Sequence, residues 1–228
     1  MIDLYELAGV DPDIRFSPYS WRIRMAIAHK GLHPRLLPWH FGEKRLPGGN
    51  RQVPVLVDDG EVIADSTDIA FHLEDKYDHG PSLFGGETGE AHARFIIAWT
   101  DTVLLPAIRP MIAADILPLV KPDARTYFRE TREKRLGTTL EKAASGRAQA
   151  LPAFRALLQP LRTVVDTEAF LGGDEPSYAD YTVFGAFQWA RCVSRFELLA
   201  AGDPVHAWRE RMLDLFDGMA GGAKTVRD

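Results

Sequence analysis

The rhythm of apolar and polar positions changes near residue 80. Before it, short apolar runs alternate with one helical stretch at a time. Residues 1–7 read as a strand, and 21–30 carry a helical period, with Ile23, Ala26 and Ile27 on one face and Arg22, Arg24 and Lys30 elsewhere. Gly31 supplies the stop. Leu36-Leu37 suggests a second short strand. Over 53–63 an apolar, β-branched run, a turn at Asp58-Asp59-Gly60 and a second apolar run predict a hairpin. A helix follows over 66–77, burying Ile69, Ala70, Leu73 and Tyr77. Two early strands bridged by a helix pair in parallel and a hairpin adds antiparallel strands, so the pattern predicts a mixed sheet.

Beyond residue 80 the pattern is helical almost throughout. The breaker-rich stretch 80–86 marks a linker. Residues 88–120 keep helical spacing but contain Pro106, Pro110 and Pro118, which predicts a kinked or broken helix. Further helices are expected over 123–144, 151–167 and 203–219. Gly172-Gly173 breaks the chain before Ser177-Tyr178-Ala179-Asp180, a capping-box pattern ahead of the apolar run 181–189, with Asp in place of the usual Glu or Gln. The expected division is 1–80, an α/β domain; 81–87, a linker; and 88–228, an all-helical domain.

Composition narrows the classes. The 228 residues are 46% hydrophobic and 26% charged with a net charge of −5, which suits a soluble protein and argues against an electrostatic grip on nucleic acid or an anionic membrane. The basic run 129–135 is interleaved with acids and reads as a solvated helix face. No targeting segment is visible, and apolar stretches such as 95–99 are too short to span a bilayer. One cysteine, Cys192, excludes an intramolecular disulfide, fits a reducing, cytoplasmic setting, and reads as a buried structural thiol. No His/Cys cluster has metal-ligand spacing, so no metal is expected.

Candidate chemistry gathers at three places. Phe16-Ser17-Pro18-Tyr19-Ser20-Trp21-Arg22 stands between the first strand and the first helix. Unpaired first-turn amides and the helix dipole make that end a seat for an anion, a thiolate included. A hydroxyl from Ser17 or Ser20 adds a directed hydrogen bond. Lowering a thiol pKa from about 8.5 to about 6.5 takes roughly 2.7 kcal/mol, within reach of one charge-assisted bond plus the dipole. The same serines also suit a plain helix cap. Val53-Pro54 is the second place: a cis bond there presents the Val53 backbone to an extended peptide, whereas a trans proline simply starts a strand. The third is Asp65-Ser66, where a carboxylate faces an ammonium group and a helix start with a capping Ser66 receives a carboxylate, together matching an α-amino-acid head.

F-S-P-Y-S-W-R at 16–22, Q-V-P-V-L at 52–56 and A-D-S at 64–66 resemble, in order, the glutathione site of the glutathione transferase superfamily. The first is similar to the C-P-Y-C or C-P-Y-S motif of glutaredoxins and omega-class transferases, with serine in the nucleophile position. The stretch 172–181 resembles the family's helical-domain capping segment. S-P-Y-S-W-R, the V-P-V-L-V-D-D-G-E hairpin and the segment 214–218 look closest to the branch of bacterial β-etherases and serine-type fungal transferases.

The resemblance implies a thioredoxin-like N-terminal domain with a mixed four-stranded sheet, an all-helical C-terminal domain, and a homodimer. It implies glutathione as co-substrate, held by Gln52, Val53, Pro54, Asp65 and Ser66. His40, Lys44 or Arg45 would stand near the glycyl carboxylate. With serine where relatives have cysteine, a mixed disulfide cannot form there. The implied activity is thiolate attack on a hydrophobic, aromatic electrophile in a detoxification role, with Ser17 or Ser20 stabilising the thiolate. Alternatives are β-aryl ether cleavage and a non-catalytic carrier of hydrophobic ligands. The second substrate is expected between Tyr19 and the kinked helix at Ile108, Met111 and Ile112.

Overall fold

The computed structural model describes residues 1–43 and 45–228; Lys44, named above as a possible carboxylate contact, lies outside them. The chain opens with β1 (Ile2–Leu7), α1 (Pro18–His29) and β2 (Arg35–Trp39), then β3 (Val55–Asp58), β4 (Glu61–Ala64) and α2 (Ser66–Lys76). The sheet order is β2-β1-β3-β4, with β1 parallel to β2 and antiparallel to β3. The β3–β4 turn puts Asp59 and Gly60 at φ 52° and 92°, the primed geometry that matches strand twist.

The helix α1 begins at Pro18, three residues before the apolar period suggested, because Ser17 caps it and Pro18 takes its first turn. Its charged residues are not on a solvated face. Arg22 is fully buried against Asp101 (2.5 Å) and Lys30 against Glu74 (2.5 Å), because α1 is covered on both sides, by the sheet and by α8 (Tyr178–Val193). Gly185 permits that approach: a Cβ there would stand 2.4 Å from the Pro18 carbonyl oxygen.

A helical run covers Glu87–Leu119. It divides into α3 (Glu87–Trp99), a π-turn over Thr100–Leu104, α4 (Leu105–Ile116) and a closing 3₁₀ turn. Pro106 brings no amide to the preceding turn, and the Leu105 N–H bonds the Thr100 carbonyl five residues back. The run is longer than the apolar stretches considered from sequence, and by length and composition it passes for a membrane span. In the fold it packs on α8 and α6 (Leu140–Leu157).

Two expected helices are redrawn. The span 123–144 is divided between α5 (Arg125–Leu136) and α6, because Gly137 adopts a left-handed φ of 67° and Thr139 caps the next helix. The span 151–167 is divided between the end of α6, which continues through Pro152, and α7 (Gln159–Val165). The last helix, α9 (Pro204–Gly218), loses helical geometry at Leu215–Asp217. The capping box before α8 is present and enlarged. Asp180 accepts from Ser177 N and Oγ, Leu171 N, Gly172 N and Trp208 Nε1 at 2.7–3.1 Å. Burial pushes its carboxyl upward against the pull of these donors. The buried α8 is apolar around nearly its whole circumference and forms the axis of the core.

Candidate active site

A cleft of about 1440 Å³ runs between the α/β half and the helical half. At its floor, Ser17 is buried yet lines the cleft. Its Oγ accepts from Ser20 N at 3.2 Å, and the first helical bond runs from Trp21 N to Ser17 O. A hydroxyl has one proton and two lone pairs, so capping the helix leaves the Ser17 proton free for an anion in the cleft. Ser20 sits in the first helical turn, buried off the cleft, and its Oγ has no hydrogen-bond partner. Tyr19 lines the cleft beside Ser17; burial pushes its phenol up, with Asp101 adding to the shift, so the hydroxyl stays protonated.

The other two sequence motifs open onto the same cleft. The Val53–Pro54 bond is cis, and Val53, Pro54 and the exposed Gln52 all line the wall. Asp65 and Ser66 line it at the start of α2. The helix cap is Asp65, not Ser66: Asp65 holds φ 74° and its carboxylate accepts from Thr67 N at 2.7 Å. Ser66 is the first helical residue, buried, and its carbonyl receives the Tyr178 hydroxyl at 2.8 Å, which ties α2 to α8. His40 is buried and off the cleft lining, its Nδ1 without a partner; burial, and then Lys121, lower its pKa, so the imidazole is neutral near pH 7. Arg45 is exposed and also off the lining, whereas Arg51 is on it.

The helical wall differs from the expectation in its register. Ile108, Met111 and Ile112 are buried in the core and turn away from the cleft. The face of α4 on the cleft is Leu105, Arg109, Ala113 and Ile116. From α5 come Tyr127, Phe128, Thr131, Arg132 and Arg135, so one side of the run read as a solvated face, Thr131, Arg132 and Arg135, lines the cleft, while Arg129, Glu130, Glu133 and Lys134 are off it. The overlooked signal was an arginine inside the apolar α4, and Phe128, Arg132 and Arg135 at helical spacing. Arg132 lies over the Phe41 and Phe128 rings, 5.0 and 4.7 Å from their centroids. Among the described residues, no group of three His, Cys, Asp or Glu is placed to hold a metal ion.

Two family models match this architecture. One, described as the glutathione S-transferase N-terminal domain, matches residues 16–76; the other, the glutathione S-transferase C-terminal domain, matches 91–212. The chain belongs to the glutathione S-transferase family. A zeta-class glutathione S-transferase of Euphorbia esula is 29% identical over 143 residues, which span 58% of this chain and 62% of that protein's length. A glutathione transferase structure from Phanerochaete chrysosporium has the same fold at TM-score 0.78 and 24% identity, covering 95% of this chain and 96% of that one. A glutathione S-transferase of Ceriporiopsis subvermispora, solved in complex with glutathione, superposes at TM-score 0.75 and 25% identity, with coverage of 95% and 96%. Ser17, Val53–Pro54 and Asp65–Ser66 fall within the glutathione S-transferase N-terminal match, and all three arginines of the helical wall fall within the C-terminal one.

Proposed function

We propose that the chain is a catalytic transferase that binds glutathione along Val53–Pro54 and uses Ser17 to stabilise its thiolate. The tripeptide lies extended against the Val53 backbone, its ammonium toward Asp65 and its γ-glutamyl carboxylate toward the first amides of α2 at Ser66. The thiol releases its proton to solvent, and the Ser17 hydroxyl donates to the remaining thiolate beside the positive end of α1. The sulfur lone pair then attacks an electrophilic ring carbon, the C–S bond forms, and the leaving group departs with the electrons of its own bond.

The observation that carries this reading is the division of labour at Ser17. Its lone pair is engaged by Ser20 N, while the side chain lines the cleft that Val53, Pro54, Asp65 and Ser66 share. Ser20 lacks that access, which favours Ser17 as the stabilising group. The test is calorimetric binding of glutathione together with turnover of chlorodinitrobenzene. Tight binding with turnover that collapses in Ser17→Ala supports the transferase; binding without turnover means a carrier. Homodimerisation belongs to the same reading: Phe95 on α3 stands 69% exposed, a side chain for a partner to cover, and sedimentation measures the state directly.

A further inference from the structure

The helical wall carries more positive charge than the fold uses. Arg109, Arg132 and Arg135 line one side of the cleft, and among the described residues no carboxylate lies within ion-pairing distance of any of them. The acids on the cleft are engaged elsewhere. Asp101 is paired with buried Arg22 at 2.5 Å, Glu43 with Lys121 at 3.1 Å, and Asp65 caps α2. Holding three guanidinium groups together has a cost. Arg132 is pushed down to about 10, first by burial and then by Arg135, with Arg109 adding to the shift. Arg109 is lowered by burial and by Arg135. An anion between them would relieve that repulsion. The surroundings are aromatic: Phe41 and Phe128 pack edge to face with ring centroids 5.5 Å apart, Arg132 lies over both rings, and Tyr127 stands 57% exposed beside them.

We propose that this wall recognises the anionic group of the second substrate, so that the transferase acts on aromatic acids: flat electrophiles bearing a carboxylate or sulfonate. The inference rests on the transferase reading above. The oxyanion is held by the forks of Arg109 and Arg132, with Arg135 at the mouth, and the ring lies against Tyr127 and Phe41.

The test compares two dyes of the same shape, anilinonaphthalene sulfonate and uncharged phenylnaphthylamine, titrated by fluorescence into the full chain with glutathione present. The sulfonate binds about tenfold tighter or more, as one charge-assisted hydrogen bond suffices for that ratio. Arg132→Met and Arg135→Glu each weaken the sulfonate about tenfold while changing the neutral dye and glutathione by less than about twofold. Arg135 is exposed, so its variant tests the site even if Arg132→Met unfolds. Equal affinity for both dyes in the native protein, or equal losses for both in the variants, overturns the proposal. So does a loss confined to glutathione, which would assign the arginines to glutathione's own carboxylate. If glutathione fails to bind at all while the dyes are still discriminated, the transferase reading fails and the second-substrate assignment falls with it, leaving an anion site alone.

Discussion

Gly185→Ala tests whether the close approach of α8 to α1 sets the position of Ser17. A Cβ built at Gly185 meets the Pro18 carbonyl oxygen at 2.4 Å and the Pro18 carbonyl carbon at 3.3 Å. Both are backbone atoms, so no rotamer change can make room. To reach even 3.0 Å, below which real Cβ contacts essentially never fall, the two helices must part by about 0.6 Å. Overpacking of this kind costs up to about 3 kcal/mol, and the helix propensity of alanine returns about 1. The net loss is about 2 kcal/mol, or a Tm lower by about 4–8 °C for a chain of this size. Because Pro18 follows the capping serine directly, the displacement reaches the cleft floor, and a shift of that order lowers kcat by about tenfold or more. Gly146→Ala on α6 is the control, since a Cβ there has nothing within 4 Å and should stabilise by about 1 kcal/mol. Thermal unfolding and steady-state turnover of both variants make the assay. If Gly185→Ala is stabilised like Gly146→Ala and keeps native kcat, the packing argument is wrong.

Asp180→Ala removes the acceptor of five donors and leaves buried Trp208 Nε1 and three backbone amides unpaired, so denaturant unfolding should register a loss of about 4 kcal/mol; a loss under about 1 kcal/mol would contradict the network's role. Burial holds His29 and His40 below the ordinary 6.5, so the unfolded chain takes up protons first as pH falls. Their contribution is therefore present above about pH 6.5 and is lost as pH falls through the folded pKa values, which melting at about pH 7.5 and about pH 5.5 will show; equal or higher stability at the lower pH would refute it. Cys192 is fully buried and burial pushes its thiol up to about 12, so a disulfide reagent should modify it only as fast as the chain unfolds; rapid labelling of native protein would contradict that.

Local rules that act within a few residues were legible in the sequence. The β3–β4 hairpin announced itself through Asp59-Gly60, and the α8 cap through Ser177 and Asp180. The three motifs of the α/β half also fell on one cleft. What the sequence hid depends on contacts between distant segments. The apolar period placed Arg22 and Lys30 off the apolar face but carried no sign of their burial, because their partners, Asp101 and Glu74, lie far along the chain. The face of α4 on the cleft was missed for a related reason. Apolar period alone does not distinguish core residues such as Ile108 and Ile112 from a cleft face holding Arg109, and the π-turn before Pro106 sits between the two segments of the run. Gly137, one residue with a left-handed φ, divided a pattern that otherwise continued through two helices.

The proposed role of Ser17 is to lower the pKa of bound glutathione's thiol. Ultraviolet difference titration of the thiolate band, for native protein, Ser17→Ala and Ser20→Ala, measures it directly. If Ser17 holds the thiolate, the band titrates well below about 8.5 in the native protein and in Ser20→Ala, and returns toward that value in Ser17→Ala. An unshifted thiol in the native protein, or a native-like titration in Ser17→Ala, would contradict it.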